Sequence, residues 1–245
     1  MEGFDELSFK SYVLFVPKRR KSVKKTMKLL GLKPIYIQGP NKELLNLKKL
    51  TEKGIIREDW YQYSMQNIKK KNIKILNTGR VACHLGHLNI MKKFLQTNNK
   101  YALIFEDDIY IEPSQSIVIE YQITHILENI PIDAQVVYLS YCYELCSLTT
   151  KYNELFSNAV RPLCRHMYIV SREGAKIILD KTIPMYNSGD RMMGSLITKG
   201  ILKGYLVNSE YLNIYQNRQP NGIFKTNLEN YNPHMLCSRK YQKKK

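Results

Sequence analysis

Tyr101-Ala102-Leu103-Ile104-Phe105-Glu106-Asp107-Asp108 is the stretch on which the fold turns. Five apolar residues in succession read as a strand buried on both faces, the kind found inside α/β sheets. Three carboxylates end it. Upstream, Val81, Ala82, Leu85, Leu88, Met91, Phe94 and Leu95 recur at three- and four-residue steps, which predicts an amphipathic helix closing at Thr97-Asn98-Asn99. Downstream, a helix over 117–127 leads into a strand over Ala134–Ser140. Further out lie a strand at Tyr12–Val16, a basic helix at Ser22–Leu30 with Gly31 as its stop, and a strand at Pro34–Ile37. Residues 41–77 read as short helices and loops, and 141–160 as a loop. A strand at Met167–Val170, a helix capped by Ser171 and running to about Lys181, a short helix after Asp190 and a strand at Tyr205–Asn208 follow, with loop from Tyr215 onward. Strands alternating with helices predict an α/β domain on a mostly parallel central sheet.

Composition agrees with one folded domain. Of 245 residues, 44% are hydrophobic and 24% charged, which excludes a disordered polyelectrolyte, and the 12 Gly and 9 Pro are spread too widely for a collagen-like chain. The formal net charge of +17 first suggests nucleic acid. Its distribution weakens that reading: residues 10–33 hold nine basic side chains and no acid, residues 239–245 hold five more, and the stretch between is only mildly basic. Tyrosines such as Tyr101, Tyr138, Tyr168 and Tyr205 also fall inside predicted strands rather than on a stacking surface. The division expected is an extension over 1–9, a single domain over 10–236 and a solvated basic tail over 237–245. The five cysteines, Cys83, Cys142, Cys146, Cys164 and Cys237, lack zinc-ribbon spacing and read as free thiols in a reducing compartment. No apolar run suits a signal peptide or a membrane helix, so the expectation is a soluble cytoplasmic protein without a membrane span.

At the C-terminal edge of a buried strand, where open α/β sheets place ligands, Glu106, Asp107 and Asp108 would repel one another unless partnered. Mg²⁺ or Mn²⁺ removes that difficulty and leaves positions for phosphate oxygens, whereas the alternative is a solvated acidic turn. A metal site beside a basic element suggests a diphosphate substrate, as in a nucleotide-sugar. His87 lies three residues after His84 and reads as a packing or donor-pocket hydrogen-bonding residue. His166, next to Arg165 at a strand start, could reach phosphate or metal, or be a satisfied structural histidine.

Four blocks resemble glycosyltransferase family 25, which includes lipooligosaccharide and collagen hydroxylysine galactosyltransferases and viral relatives. Tyr12-Val13-Leu14-Phe15-Val16-Pro17-Lys18-Arg19 looks like its opening strand, with Phe15 where Asn is usual. Gly79-Arg80-Val81-Ala82-Cys83-His84-Leu85-Gly86-His87 keeps the Cys and His of a second block while Arg80 replaces Glu. Ala102-Leu103-Ile104-Phe105-Glu106-Asp107-Asp108 matches a third almost throughout, and Arg165-His166-Met167-Tyr168-Ile169-Val170-Ser171-Arg172-Glu173-Gly174-Ala175 a fourth.

The resemblance implies a GT-A type, Rossmann-like nucleotide-sugar-binding sandwich and an inverting, metal-dependent transfer of a hexose. The donor would be UDP-galactose, UDP-glucose or UDP-N-acetylglucosamine, and the acceptor a glycan or a collagen-like protein. Phe15, Val16, Lys18, Arg19, Arg80, His87, Glu106 and Asp107 would bind the donor. Asp108, Glu106 and His166 would hold Mn²⁺ or Mg²⁺, and Asp190, before a helix, would be the base, with a solvated turn residue as the alternative. No nucleic acid is expected as a partner, and a homodimer is left open. A nucleic-acid-binding protein and a weakened member that only binds glycan are the rival readings. The Lys-, Asn-, Ile- and Tyr-rich composition would suit a large DNA virus, placing the protein in a virion or host cytoplasm.

Overall fold

A computed structural model describes residues 8–67, 76–111, 113–208, 211–212, 215–216 and 237–238. The first strand, β1 (Phe9–Phe15), is followed by α1 (Arg20–Leu29) and β2 (Ile35–Gln38). Two short helices, α2 (Leu47–Glu52) and α3 (Glu58–Gln66), precede the long α4 (Thr78–Leu95). The acidic stretch ends β3 (Tyr101–Glu106), and β4 (Ile109–Tyr110), α5 (Ser116–Glu128), β5 (Val136–Ser140), β6 (Tyr143–Glu144) and β7 (Phe156–Asn158) follow. The chain continues through β8 (Met167–Ser171), α6 (Arg172–Lys181), α7 (Gly189–Thr198) and β9 (Gly204–Val207), with two-residue strands β10 (Tyr215–Gln216) and β11 (Cys237–Ser238) beyond.

Seven strands form one mixed sheet in the order β2-β1-β3-β8-β5-β9-β7. β1 pairs in parallel with both β2 and β3, and β5 in parallel with β9, while β8 and β7 run against their neighbours. Five strands therefore share one direction, and the α/β, Rossmann-like layout is the expected one. β8 and the edge strand β7 are the departures from a parallel sheet, and β8 enters between β3 and β5 from the opposite end, so its first residues meet the last residues of its neighbours.

Alternation along the strands divides the core into two layers. Val13, Phe15, Leu103, Phe105, Leu139, Met167 and Ile169 pack beneath α1 and α5, with Val23, Met27, Ile119 and Ile123. Tyr12, Leu14, Ile104, Tyr138, Tyr168 and Val170 face the α4 side, with Leu88, Met91, Phe94, Ala175 and Ile178. Tyr12, Tyr138, Tyr168 and Tyr205 are all buried core residues. α4 presents more than the single apolar face its spacing predicts: Val81 joins Ile56, Trp60, Met185 and Met192 in a third cluster, while Leu88, Met91 and Phe94 meet the sheet. Gly86 makes that approach feasible, because a Cβ there would fall 2.5 Å from Leu14 Cδ1.

Four expectations are corrected. The chain is not loop from Tyr215, since Tyr215 and Gln216 form β10 and pair antiparallel with β4. Residues 141–160 are not loop throughout, since β6 and β7 lie within them and β7 forms an edge of the main sheet. The tail does not begin as solvated chain, because Cys237 and Ser238 pair antiparallel with β6; residues 239–245 lie outside the described region. Cys142 and Cys164 are joined in a disulfide instead of being free thiols. The segment after β5 and the segment before β8 pair at Tyr143 and Leu163 and bring the two Cα atoms to 5.5 Å across 22 residues of sequence, a separation suited to the bond. The compartment inferred from free thiols therefore no longer follows from the cysteines.

Candidate active site

The acidic stretch sits where β1, β3 and β5 end and β8 begins, and the pleat sends its carboxylates to opposite sides. Glu106 follows Ala102 and Ile104 onto the α4 side. There His87 Nε2 lies 2.8 Å from its Oε1, and the Cys83 thiol donates to the same oxygen at 3.6 Å. Burial holds His87 well below the ordinary imidazole range, with Arg165 adding to the effect. A neutral His87 donating from Nε2 accepts the Tyr168 hydroxyl at Nδ1, 2.9 Å away. Burial raises Glu106 above the usual carboxylate range, against the pull of Arg165. It also pushes the Cys83 thiol upward, so Cys83 is a protonated donor rather than a thiolate.

Arg165 is the buried cation of this side. It is 3% exposed and donates from Nη1 to His84 Nδ1 at 3.1 Å. His84 then has Nε2–H for the Thr182 hydroxyl at 3.0 Å, and Thr182 donates onward to the Ile178 carbonyl. Burial disfavours the arginine's charge, but Cys83, Tyr168, Glu106 and Asp190 nearby hold its pKa up. Gly189 leaves the space this requires, since a Cβ there would fall 2.3 Å from Arg165 Nη2 and 2.5 Å from His84 Nδ1.

Asp190 lies in the first turn of α7. Its oxygens accept the N–H of Cys164 at 3.2 Å and of Arg191 at 2.9 Å. Burial alone would raise this carboxyl, yet hydrogen bonds from Ser188 and those backbone amides, together with Arg165, hold it below the usual range. Cys164, one half of the disulfide and at a left-handed φ of 65°, aims its N–H at Asp190. Arg80, in the first turn of α4, has Asp190 and Arg191 as charged neighbours.

Asp107 and Asp108 turn toward the α1 side. Asp107 Oδ2 accepts the Val16 N–H at 2.6 Å and its Oδ1 pairs with Arg19 at 2.8 Å, while Asp108 Oδ2 lies 3.8 Å from the same Arg19 nitrogen. Two carboxylates thus converge on one cationic group. Lys18 and the Val16 side chain are exposed beside them. Phe15 is packed among core residues, with its ring edge toward Tyr36, so it presents only backbone at the strand end.

The three residues expected to hold a metal are not gathered together. Among the described residues, the ligating atoms that cluster are those of Cys83, His87 and Glu106, and of Cys142, Cys164 and His166. His166 directs Nε2 to the Ser140 hydroxyl at 2.8 Å, and its carbonyl accepts the Glu106 N–H. The first cluster is occupied by its own hydrogen bonds and holds a protonated thiol, and the second contains the disulfide. The hard oxygen pair Asp107 and Asp108 fits Mn²⁺ or Mg²⁺ better, since its carboxylates already face a common positive charge. Arg165 and Gly189 are the residues that sequence reading left without a role. An arginine directly before an apolar strand was the available signal.

An open cleft of about 560 Å³ lies elsewhere, between β2 and α4, lined by Tyr36, Gln38, Asn89, Lys92, Lys93 and Gln96 among others. Of the residues described above it contains Tyr36 alone, and none of the acidic or histidine residues.

Residues 16–193 match the family described as glycosyltransferase family 25 (LPS biosynthesis protein). No curated protein matches the chain at a significant level. Similar solved structures include a mannose-1-phosphate geranyltransferase from Thermus thermophilus, at 10% identity over 82% of this chain and 74% of that one, TM-score 0.43. A UDP-glucose pyrophosphorylase complexed with UDP-glucose is 12% identical over 85% of this chain and 93% of that one, TM-score 0.44. A glycosyltransferase involved in glycosylation of the major capsid of PBCV-1 is 11% identical over 71% of this chain and 66% of that one, TM-score 0.33.

Proposed function

The chain belongs to glycosyltransferase family 25, and from that premise we propose that it is a metal-dependent, inverting hexosyltransferase. Its donor is a UDP-sugar carrying galactose, glucose or N-acetylglucosamine, and its acceptor is a hydroxyl on a glycan or a collagen-like protein. The observation that carries this reading is the convergence of Asp107 and Asp108 on Arg19 at the end of β3. Such a site accepts positive charge at the sheet edge where α/β folds receive phosphates.

Asp107 and Asp108 would hold the Mn²⁺ or Mg²⁺. When bound, the ion supplies Lewis-acid stabilisation of the departing diphosphate. Arg19, Lys18 and the positive start of α1 add a field that favours the same group. Glu106 is kept in place by His87 and Cys83, whose hydrogen bonds fix the turn from which the aspartates leave the strand. Asp190 is the base: held ionised by its backbone donors, it has lone pairs left to take the acceptor hydroxyl proton as the new glycosidic bond forms and the sugar–phosphate bond breaks.

Purified protein with Mn²⁺ should release UDP from one of these three donors, and EDTA should stop it. Asp108→Ala should abolish Mn²⁺-dependent UDP binding in calorimetry. Asp190→Asn should keep that binding while turnover falls about 10²-fold or more. No UDP release from any donor, with glycan and collagen-peptide acceptors present, overturns the enzyme reading and leaves a glycan-binding member.

A further inference from the structure

α1 and α5 lie side by side on one face of the sheet. Val23 and Met27 of α1 share a buried cluster with Ile119 and Ile123 of α5, and Glu120 approaches Gly31 just past the end of α1. α1 starts just beyond the end of β1 at the acidic site and runs away from it, and the second turn of α5 lies beside the far end of α1, where Glu120 meets Gly31.

Their outward surfaces are of two kinds. α1 exposes Arg20, Lys21, Lys24 and Lys25, within a stretch from residue 10 to 33 that contains no acid. The first two turns of α5 expose Ile117 at 82%, Val118 at 56% and Tyr121 at 69%. Single exposed apolar residues are ordinary. Three grouped within five residues, on a helix beside a basic one, form a mixed cationic and apolar surface.

We propose that this face docks on an anionic phospholipid surface, with the lysines of α1 at the headgroups and Ile117, Val118 and Tyr121 entering the interface. That pairing of a basic surface with interfacial aliphatic and aromatic side chains is what peripheral membrane binding requires. A nucleic acid would satisfy the lysines but leave the aliphatic pair in water. A second copy meeting face to face would bring the two basic helices together against their own repulsion. No helix among the described residues is long and apolar enough to cross a membrane, so the contact is a surface one.

The test is co-flotation of the full chain with phosphatidylcholine vesicles, with and without about one third phosphatidylserine. The wild type should bind the anionic vesicles only, and less at higher salt. Lys21→Glu, Lys24→Glu and Lys25→Glu together should lower partitioning by about fivefold or more per lysine. Ile117→Ser with Val118→Ser should lower it severalfold at unchanged charge, and melting curves for each variant establish that it is folded. Failure of the wild type to float, or equal flotation with neutral vesicles, overturns the proposal. Unchanged binding by both variants overturns it by assigning binding to the 239–245 tail. Loss with the lysine variant alone overturns it in favour of a general polyanion contact such as nucleic acid. Flotation reads lipid binding without sugar transfer, so its failure leaves the glycosyltransferase reading intact.

Discussion

Glu106 and Asp107 are consecutive residues with the same chemistry, and the fold puts them in opposite environments. Glu106, 20% exposed at its own side chain, reaches partners that are almost wholly buried, since His84, His87, Tyr168 and Arg165 lie in one hydrogen-bonded layer behind it. Asp107, itself only 9% exposed at the side chain, turns to the opposite face, where its partner Arg19 is 29% exposed and a neighbouring backbone amide completes its shell. One region is built to stay as it is. In the other only the cation is open to water, since Arg19 is 29% exposed where the Asp107 and Asp108 side chains are 9% and 10%. In a buried pair the loss of one partner strands a charge, whereas at the surface water takes its place.

The sharpest way to break this comparison is to remove the cation from each side. Arg165→Leu should destabilise the protein by about 3–5 kcal/mol in urea unfolding, because Glu106 and Asp190 lose their common buried counter-charge. Arg19→Leu should cost at most about 1 kcal/mol. Equal effects would show that the two environments do not differ energetically.

Acid should next separate the two regions. His84 and His87 are held neutral, well below their ordinary value of 6.5, foremost by burial. The unfolded chain therefore takes up their protons first, and stability falls as pH drops below about 6.5, by about 1.4 kcal/mol per histidine per pH unit. Glu106 acts in the opposite sense: its raised pKa lets the folded state bind a proton earlier than the unfolded one, which returns part of the loss above its ordinary 4.5. Urea midpoints at pH 7.5, 6.5 and 5.5 measure the balance. A flat profile would mean that water reaches the histidines.

The smallest effect on stability is expected at the open edge. Asp107→Asn keeps an acceptor for the Val16 N–H and should alter stability by less than about 1 kcal/mol, while Mn²⁺-dependent UDP affinity falls at least tenfold in calorimetry. A large loss of stability with binding retained would make Asp107 a structural residue and move the donor site elsewhere.

Local pattern made much of this legible. The apolar run ending in three acids places β3 to within a residue, the spacing from Val81 to Leu95 places α4, and Ser171 caps α6 as read, accepting the Gly174 N–H at 3.1 Å. The small strands β6 and β7 were not legible, because two- and three-residue strands carry too little periodicity to register. Nor was Arg165, whose charge is tolerable in the core only because residues from α4, β3 and α7 meet it there.

By itself, then, the sequence determined the main strands and helices, the α/β class and the acidic strand end, because these depend on neighbours one to four residues apart, and the family through blocks spaced along the chain. Tertiary structure alone decided that β8 runs against β3 and β5, and hence that Cys142 meets Cys164 and Asp190 meets the Cys164 amide. It also decided that Glu106 meets the buried His87 and Asp107 the partly exposed Arg19. Adjacent carboxylates are equivalent until a sheet assigns one to each of its faces, and that assignment depends on which distant residues the chain has packed there.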